Sequence, residues 1–272
     1  MRGLLIYDEV GRDRNEWFIS RLIECAKARG CDLELVIYED GIDSALTPLP
    51  DFAIVRTINP NLTARLEKLG IPTYNNSVTS RIANDKWQTY LLAKRLGIEV
   101  MDTAQAIYTP PDHITYPKVL KSVDGHGGSE VFLVKSAEEY AEILTRMGGK
   151  RIIVQDLCDE PGIDMRVYVM GDRVLAPIER TSDSDFRSNF SLGGNVKMGK
   201  TTDEIHKIIA KLRHALGFDF IGVDFIRHDG KWILNEIEDV VGTRMLYSLT
   251  DIDAADEYIA YVIDKVKIAT FI

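Results

Sequence analysis

The chain has 272 residues, with 42 acidic against 33 basic side chains and a net charge of −9. A chain of that length buries a large core and divides into two or three subdomains. Its interspersed, net-acidic charge argues against a general nucleic-acid binder, and no run of 18 apolar residues offers a membrane span. The N-terminal run Met1-Arg-Gly-Leu-Leu-Ile-Tyr-Asp8 is too short in apolar residues for a signal peptide. Cys25, Cys31 and Cys158 form no CxxC pair and no set of metal spacings, which suits buried structural thiols in a reducing cytoplasm.

In chain order, residues 3–7 read as a buried strand. A helix follows with Trp17, Phe18, Leu22, Ile23 and Ala26 on one face and Gly30 as its stop. Leu33–Tyr38 and Asp51–Val55 are further strands, Leu62–Leu69 is a helix ending at Gly70, and Ile71–Tyr74 is a short edge strand. This β-α-β-β-α-β order predicts a small sheet, at least partly parallel, over residues 1–83. A second unit opens at Asn84-Asp85, which caps a helix running to Leu96. Lys118–Lys121 and Glu130–Val134 are strands around a glycine-rich loop. Ser136-Ala-Glu-Glu139 is a capping box opening a helix to about Met147. Arg151–Gln155 and Met165–Met170 are strands, Asp203–Leu216 a helix with Ile205, Ile208, Ile209 and Leu212 in register, and Ala254–Val266 a closing helix.

Three acids near the C-terminus carry the most chemistry. Asp224 lies in the strand-like Ile221–Ile226, and Glu236 and Glu238 lie in Trp232–Glu238. Strand side chains alternate, so the two glutamates share a face. A carboxylate is costly to bury in such a setting unless it is paired, and three together repel unless a cation joins them. Oxygen ligands without His or Cys favour Mg²⁺ or Mn²⁺ over zinc. A solvated hairpin with an acidic outer face is the alternative. Opposed residues of an antiparallel pair share a face, so Asp224 and Glu236 come together only if the connecting loop has an odd number of residues. A three- or five-residue loop is therefore predicted, not the tight Asp229-Gly230 turn.

Lys121 precedes Ser122-Val-Asp-Gly125-His126-Gly127-Gly128-Ser129, a loop whose glycines let successive N–H groups approach a phosphate. It is neither a Walker A loop, having no GK[ST], nor a dinucleotide fingerprint, since a strand follows it. A flexible hairpin turn would explain it equally. Lys86, in the first turn of its helix, is either solvated or a second cation for the same phosphates. Arg187 and Asn189 sit in a run, Asp183 to Gly194, that combines two phenylalanines with adjacent glycines. Arg187 can fork onto phosphate oxygens, and Asn189 can donate to them or join the metal shell. Gln155, Asp156 and Leu157 end a strand and can present backbone groups to an adenine edge, and Asp164 can accept from ribose hydroxyls. Arg166 can face a phosphate or pair with a surface acid.

Taken together these motifs resemble the ATP-grasp superfamily, and within it the RimK-like carboxylate–amine ligases. The resemblance runs collinearly from Asn84 to about Leu246: Asn-Asp-Lys86, Lys-Val-Leu-Lys121 with its glycine loop, Val-Gln-Asp156, Ile-Asp164-Met-Arg166, Asp-Phe-Arg187-Ser-Asn189, Gly-Val-Asp224 and Asn-Glu236-Ile-Glu238. It implies an α/β (α+β) ATP-grasp fold, with a pre-ATP-grasp domain at 1–83 and the ATP-grasp domain at 84–272, divided into a lid of about 100–155 and a metal-binding part of about 156–272. It implies that Lys86 and Lys121 bind ATP phosphates and that Gly125–Ser129 closes over them. Asp156 and Leu157 would read adenine and Asp164 ribose. Arg187 and Asn189 would contact phosphates or the activated intermediate, with Arg166 also in the catalytic set, and Asp224, Glu236 and Glu238 would hold Mg²⁺ or Mn²⁺. The implied activity is ADP-forming ligation of a carboxylate to an amine, on small-molecule or peptide substrates in the cytoplasm, without nucleic acid or membrane; self-association is left open. A phosphotransferase of the same fold and a non-catalytic ATP-binding regulator are the competing readings.

The sequence departs from the family pattern at three places. Glu238 stands where the family usually has Asn, Asp156 where it often has Glu, and Asp239-Val-Val-Gly242-Thr243-Arg244 replaces a Ser-Pro-Gly stretch. Arg244 is placed to grip a substrate carboxylate, so the family's usual substrates do not transfer. In the N-terminal unit Asn15, Arg56 and Asn59 lie at strand-to-helix connections, where ligands sit in open α/β sheets and where caps are also common.

Overall fold

The computed structural model of the chain describes residues 1–107, 114–182, 185–188 and 195–270. The expectations placed on Asp183 and on 189–194, Asn189 included, lie outside the described residues. The first unit runs β1 (Arg2–Tyr7), α1 (Glu9–Arg14), α2 (Glu16–Ala28), β2 (Asp32–Ile37), β3 (Phe52–Val55), α3 (Pro60–Lys68) and β4 (Thr73–Tyr74). Its strands pair in parallel in the order β2-β1-β3-β4. The unbroken apolar run of β1 and β3 is what a strand buried on both faces requires.

Helix α2 corrects one expectation. Its buried side is Phe18, Ile19, Leu22, Cys25 and Ala26, and Trp17 is 60% exposed. The i, i+4, i+7, i+8 stripe starts at Phe18, which turns the preceding indole out of the core. Trp17 instead meets Tyr247 edge to face, with centroids 4.8 Å apart.

Helices α4 (Ser77–Ala83) and α5 (Lys86–Arg95) lead out of this unit. Asp85 caps α5 by accepting from the amide of Gln88 at 2.8 Å. A second sheet comprises β5 (Thr103–Gln105), β6 (Lys118–Ser122), β7 (Val131–Val134) and β8 (Ile152–Asp156), antiparallel in the order β5-β8-β6-β7, with α6 (Ala137–Arg146) connecting β7 to β8. At the start of α6 the Glu139 amide donates to the hydroxyl of the N-cap Ser136, and the Glu139 carboxylate reaches back to the amide of Lys135, one residue before the cap.

The third sheet is built from β9 (Ile163–Met170), β10 (Arg173–Thr181), β11 (Asn195–Met198), β12 (Phe220–His228) and β13 (Lys231–Glu238), antiparallel in the order β11-β10-β9-β12-β13. Helix α7 (Asp203–Leu216) buries Ile205, Ile208, Ile209 and Leu212, and ends at Gly217 in the left-handed conformation, φ 64°. Helices α8 (Arg244–Leu249) and α9 (Ala254–Thr270) close the chain. The first and last parts of the sequence share one apolar cluster, in which Leu5, Tyr7 and Phe52 pack with Tyr168, Phe220 and Tyr258. Arg29 forks onto Asp256 at 2.5 and 2.7 Å, and Arg21 reaches Asp253 at 2.7 Å, fixing α2 against the start of α9. Strands β5, β10 and β11 and helices α1, α4 and α8 were not expected from the sequence.

Candidate active site

The β12–β13 ribbon overturns the predicted loop length. The strands are joined by the two residues Asp229 and Gly230, at φ 49° and 71°. Two consecutive left-handed residues make the tight turn that matches strand twist. The phase is restored further down. Asp224 pairs with Glu236 while Phe225 pairs with Leu234, so Asn235 is an extra residue in a β-bulge. One inserted residue moves the glutamates onto the face of Asp224. Oxygens of Asp224, Glu236 and Glu238 then lie within 4.8 Å of one another. All are hard carboxylate donors, so the set fits a divalent magnesium- or manganese-type cation.

The same register gathers arginines around the acids. On β9, Arg166 stands opposite Asp224 and Asp164 opposite Arg180 of β10. Arg166 donates to both Asp224 oxygens at 2.7 Å and pairs with Glu238 at 2.6 Å. Arg180 bonds both oxygens of Asp164 and reaches Asp224 at 2.8 Å. Burial would lift the Asp224 carboxyl, but the two guanidiniums outweigh it and hold it well below the usual range. Glu238 behaves oppositely: burial outweighs Arg166 and pushes it up. Gly222 makes the room, since a Cβ there would sit 3.3 Å from Arg166 Cδ and 2.8 Å from Val241. Arg166 therefore meets acids on its own sheet, and Asp164 is taken up by Arg180.

Beside this layer is a cavity of about 90 Å³. Lys86, Lys121, Gly125, Gly127 and Gly128 line it, as do Gln155, Asp156, Leu157 and Asp164 from the β8–β9 side, with Arg187 and Glu236. Lys86 lies 3.5 Å from Glu236 and also donates to the Gly125 carbonyl. Burial raises Glu236, but Lys86, Lys121 and Arg166 together outweigh it and leave the carboxyl below its ordinary value. Lys121 donates to the bulged Asn235 at 3.1 Å, and burial brings its pKa down to about 8. In the loop, Gly127 and Gly128 have φ of 66° and 77°, and a Cβ on Gly125 would collide with Glu130 Oε2 at 2.9 Å. Ser129 turns its hydroxyl onto the carbonyl of His126 at 3.2 Å. The Asp156 carboxylate takes Lys118, and Gln155 donates to Thr103 at 3.0 Å.

Arg187 grips Asp185 and donates to the Gly128 carbonyl at 2.8 Å, so it ties the glycine loop to the segment after β10. A cavity of 90 Å³ is well short of the ~300 Å³ at which small-molecule pockets begin. A guest of small-molecule size therefore fits only if the glycine loop lifts.

Arg244 does not join this cavity. It lines a second one, of about 570 Å³, with Arg14, Asn15 and Trp17. Arg56 is buried, donates to the Val241 carbonyl at 2.9 Å and stacks over Phe18. Asn59 caps α3 through the Leu62 amide. Sequence reasoning missed Arg180, Asn235 and Trp17. Arg180 had a signal, since Ala176, Ile178 and Arg180 occupy alternate buried positions of β10; a charged residue in phase with an apolar row needs a buried partner.

Residues 83–262 match the family model of the RimK-like ATP-grasp domain. A probable alpha-L-glutamate ligase of Haemophilus influenzae is 30% identical over 225 residues, covering 79% of this chain and 74% of the relative. A MG011 homolog of Mycoplasma pneumoniae is 28% identical over 248 residues, covering 90% and 86%. Among solved structures, the D-alanine–D-alanine ligase of Bacillus anthracis complexed with ATP superposes with a TM-score of 0.77 at 17% identity, over 99% of this chain and 98% of that one. A RimK-domain ATP-grasp protein of Sphaerobacter thermophilus gives 0.71 at 21% identity, over 97% and 100%. At these identities the superpositions show the ATP-grasp fold.

Proposed function

Because the chain belongs to the RimK-like ATP-grasp family, we infer that it is an ATP-dependent, ADP-forming ligase joining a carboxylate to an amine, with an amino acid or peptide among its substrates. The observation that carries this reading is the three-carboxylate cluster of Asp224, Glu236 and Glu238, which stands beside a cavity lined by two lysines and a glycine loop. Residues 1–83 would form the substrate-side unit and 84–272 the nucleotide-binding unit.

In this reading the substrate carboxylate attacks the γ-phosphorus of ATP, ADP leaves, and the amine displaces phosphate from the acyl phosphate. Lys86 and Lys121 hold phosphate oxygens, and the amides of the glycine loop supply further donors. Asp224, Glu236 and Glu238 would hold Mg²⁺ or Mn²⁺, which neutralises charge on the transferring group when bound. Arg166 and Arg180 keep Asp224 ionised and oriented. Arg187 closes the loop over the nucleotide and excludes water that would hydrolyse an acyl phosphate. Catalysis is positioning and charge stabilisation, which requires no nucleophilic side chain. Among the described residues no helix is long and apolar enough to cross a membrane; a cytoplasmic setting belongs to the same reading.

The test is ADP release screened over pairs of amino acids and dipeptides with Mg²⁺. ADP is expected only when an acid and an amine are both present. ADP formation that ignores the amine points to phosphotransfer, and ATP binding without ADP across the panel points to a regulator; either removes the ligase reading.

A further inference from the structure

The 570 Å³ cavity is lined by residues from both ends of the chain and from the third sheet. Four arginines reach it: Arg14, Arg166, Arg180 and Arg244. Two of them, Arg166 and Arg180, are bonded to Asp164, Asp224 and Glu238. The other two have no carboxylate partner among the described residues. Arg244 donates only to the backbone carbonyl of Arg14, at 2.8 Å, which brings the two residues together. Guanidiniums without a counter-anion remain strongly attractive to a carboxylate, which either can take in a two-pronged bond.

The remaining wall is of two kinds. Trp17, Phe18, Met245 and Tyr247 give an apolar and aromatic surface, and Trp17 is 60% exposed despite its size. The edge-to-face contact with Tyr247 fixes the indole in that exposed position. An exposed, immobilised aromatic beside a polar rim is the usual make-up of a recognition surface. Glu238 supplies the cavity's acid, on the sheet face that carries the carboxylate cluster.

The unmatched cations and the apolar wall in one cavity fit a guest with a carboxylate at one end and an apolar group beside it, while Glu238 stays with Arg166, 2.6 Å away, and with the carboxylate cluster. We propose that this cavity binds the amine substrate as a free, zwitterionic amino acid with an apolar side chain, its non-reacting carboxylate clamped by Arg14 and Arg244 and its side chain lying on Trp17. The proposal rests on the ligase reading for the fate of the amine, but the binding site can be measured apart from turnover.

The experiment is calorimetric titration of the whole protein, held with Mg²⁺ and a non-hydrolysable ATP analogue, with L-phenylalanine, L-phenylalaninamide and L-glutamate. Phenylalanine is expected to bind, and its amide about tenfold or more weaker, the loss of one charge-assisted pairing. Arg14→Ala and Arg244→Ala should each weaken phenylalanine by a similar factor and leave affinity for the ATP analogue unchanged, which also reports that both variants fold. Arg→Lys at either position should recover part of the loss. The proposal is overturned if phenylalanine does not bind, if the amide binds as well as the acid, if glutamate binds more tightly, or if neither arginine variant alters affinity. Amino-acid binding as described, with no ADP released from ATP in any acid–amine pair, would instead remove the ligase reading and leave the clamp standing.

Discussion

Arg166 and Arg180 stand inside the third sheet, 6% and 4% exposed, and each contacts carboxylates of two residues. Arg14 and Arg244 border the same cavity but are exposed and touch no acid among the described residues. The difference lies in what each pair owes to the fold. A guanidinium within a sheet is tolerated only with its counter-charge, and removing it strands the acids around it. A guanidinium at a rim is already hydrated, so the fold does not depend on it and a ligand can recruit it.

The largest effects separate the pairs directly. Arg180→Ala strands Asp164, leaves Asp224 with Arg166 alone, and should cost about 3–5 kcal/mol of stability, read as a drop in the denaturation midpoint. Arg244→Ala should leave that midpoint where it is. Equal midpoints for the two variants would erase the distinction. Replacing Arg180 by Met together with Asp164 by Leu should recover much of the loss, because a matched apolar pair removes both buried charges.

Glu236→Gln comes next, and it divides the carboxylate cluster itself. Glu236 is bonded to neither buried arginine and faces Lys86 instead. The variant should keep its fold and lose turnover by about 10²–10³-fold, the scale of removing one preorganised charge at a transition state. Chelation of divalent ions should mimic it, with recovery on adding Mg²⁺ or Mn²⁺. Unaltered turnover in the variant would remove Glu236 from the metal assignment.

Arg187 is intermediate between the two pairs: it is bonded to an acid, Asp185, yet also holds the glycine loop through Gly128. Arg187→Ala should lower kcat about tenfold or more while the KM for ATP moves less, since loop closure matters most once the nucleotide is in place. A change confined to KM would make it a ground-state contact.

The smallest effect is a pH limb. Burial holds Lys121 near a pKa of about 8 in the free protein. Its cation is present below that value and lost above it, so kcat/KM for ATP should fall as pH rises through about 8. The dependence of kcat should be flatter, because bound phosphate favours the charged form. Lys121→Arg should abolish the limb; its persistence would assign it to another group.

Much of this was legible before any coordinates. The parallel first sheet followed from apolar runs separated by 3.6-period segments, and α5, α6 and α7 from their caps. Alternation put Glu236 and Glu238 on one face, and Asp224 was expected to join them through an odd-length loop. What escaped depends on contacts between segments distant in sequence. Arg180 gains its partners only when β10 lies beside β9, and β10 itself contains Pro177 and reads poorly as a strand. Trp17 passed for a core residue because size and hydrophobicity do not reveal which neighbour begins the buried stripe. The loop between β12 and β13 was misjudged for an instructive reason. The parity rule was sound, but the odd residue was inserted within the strand and not in the turn.

That inserted residue, Asn235, has a second attachment, since its amide oxygen receives Lys121 from β6. Excising it would straighten the ribbon without rotating the acids away from one another, since Asp224 and Glu236 would still be cross-strand neighbours. The severed link would be mechanical: the strand that leads into the glycine loop would lose its tether to the carboxylate-bearing sheet. A one-residue deletion here should thus spare the carboxylate set while loosening the glycine loop's hold on the third sheet.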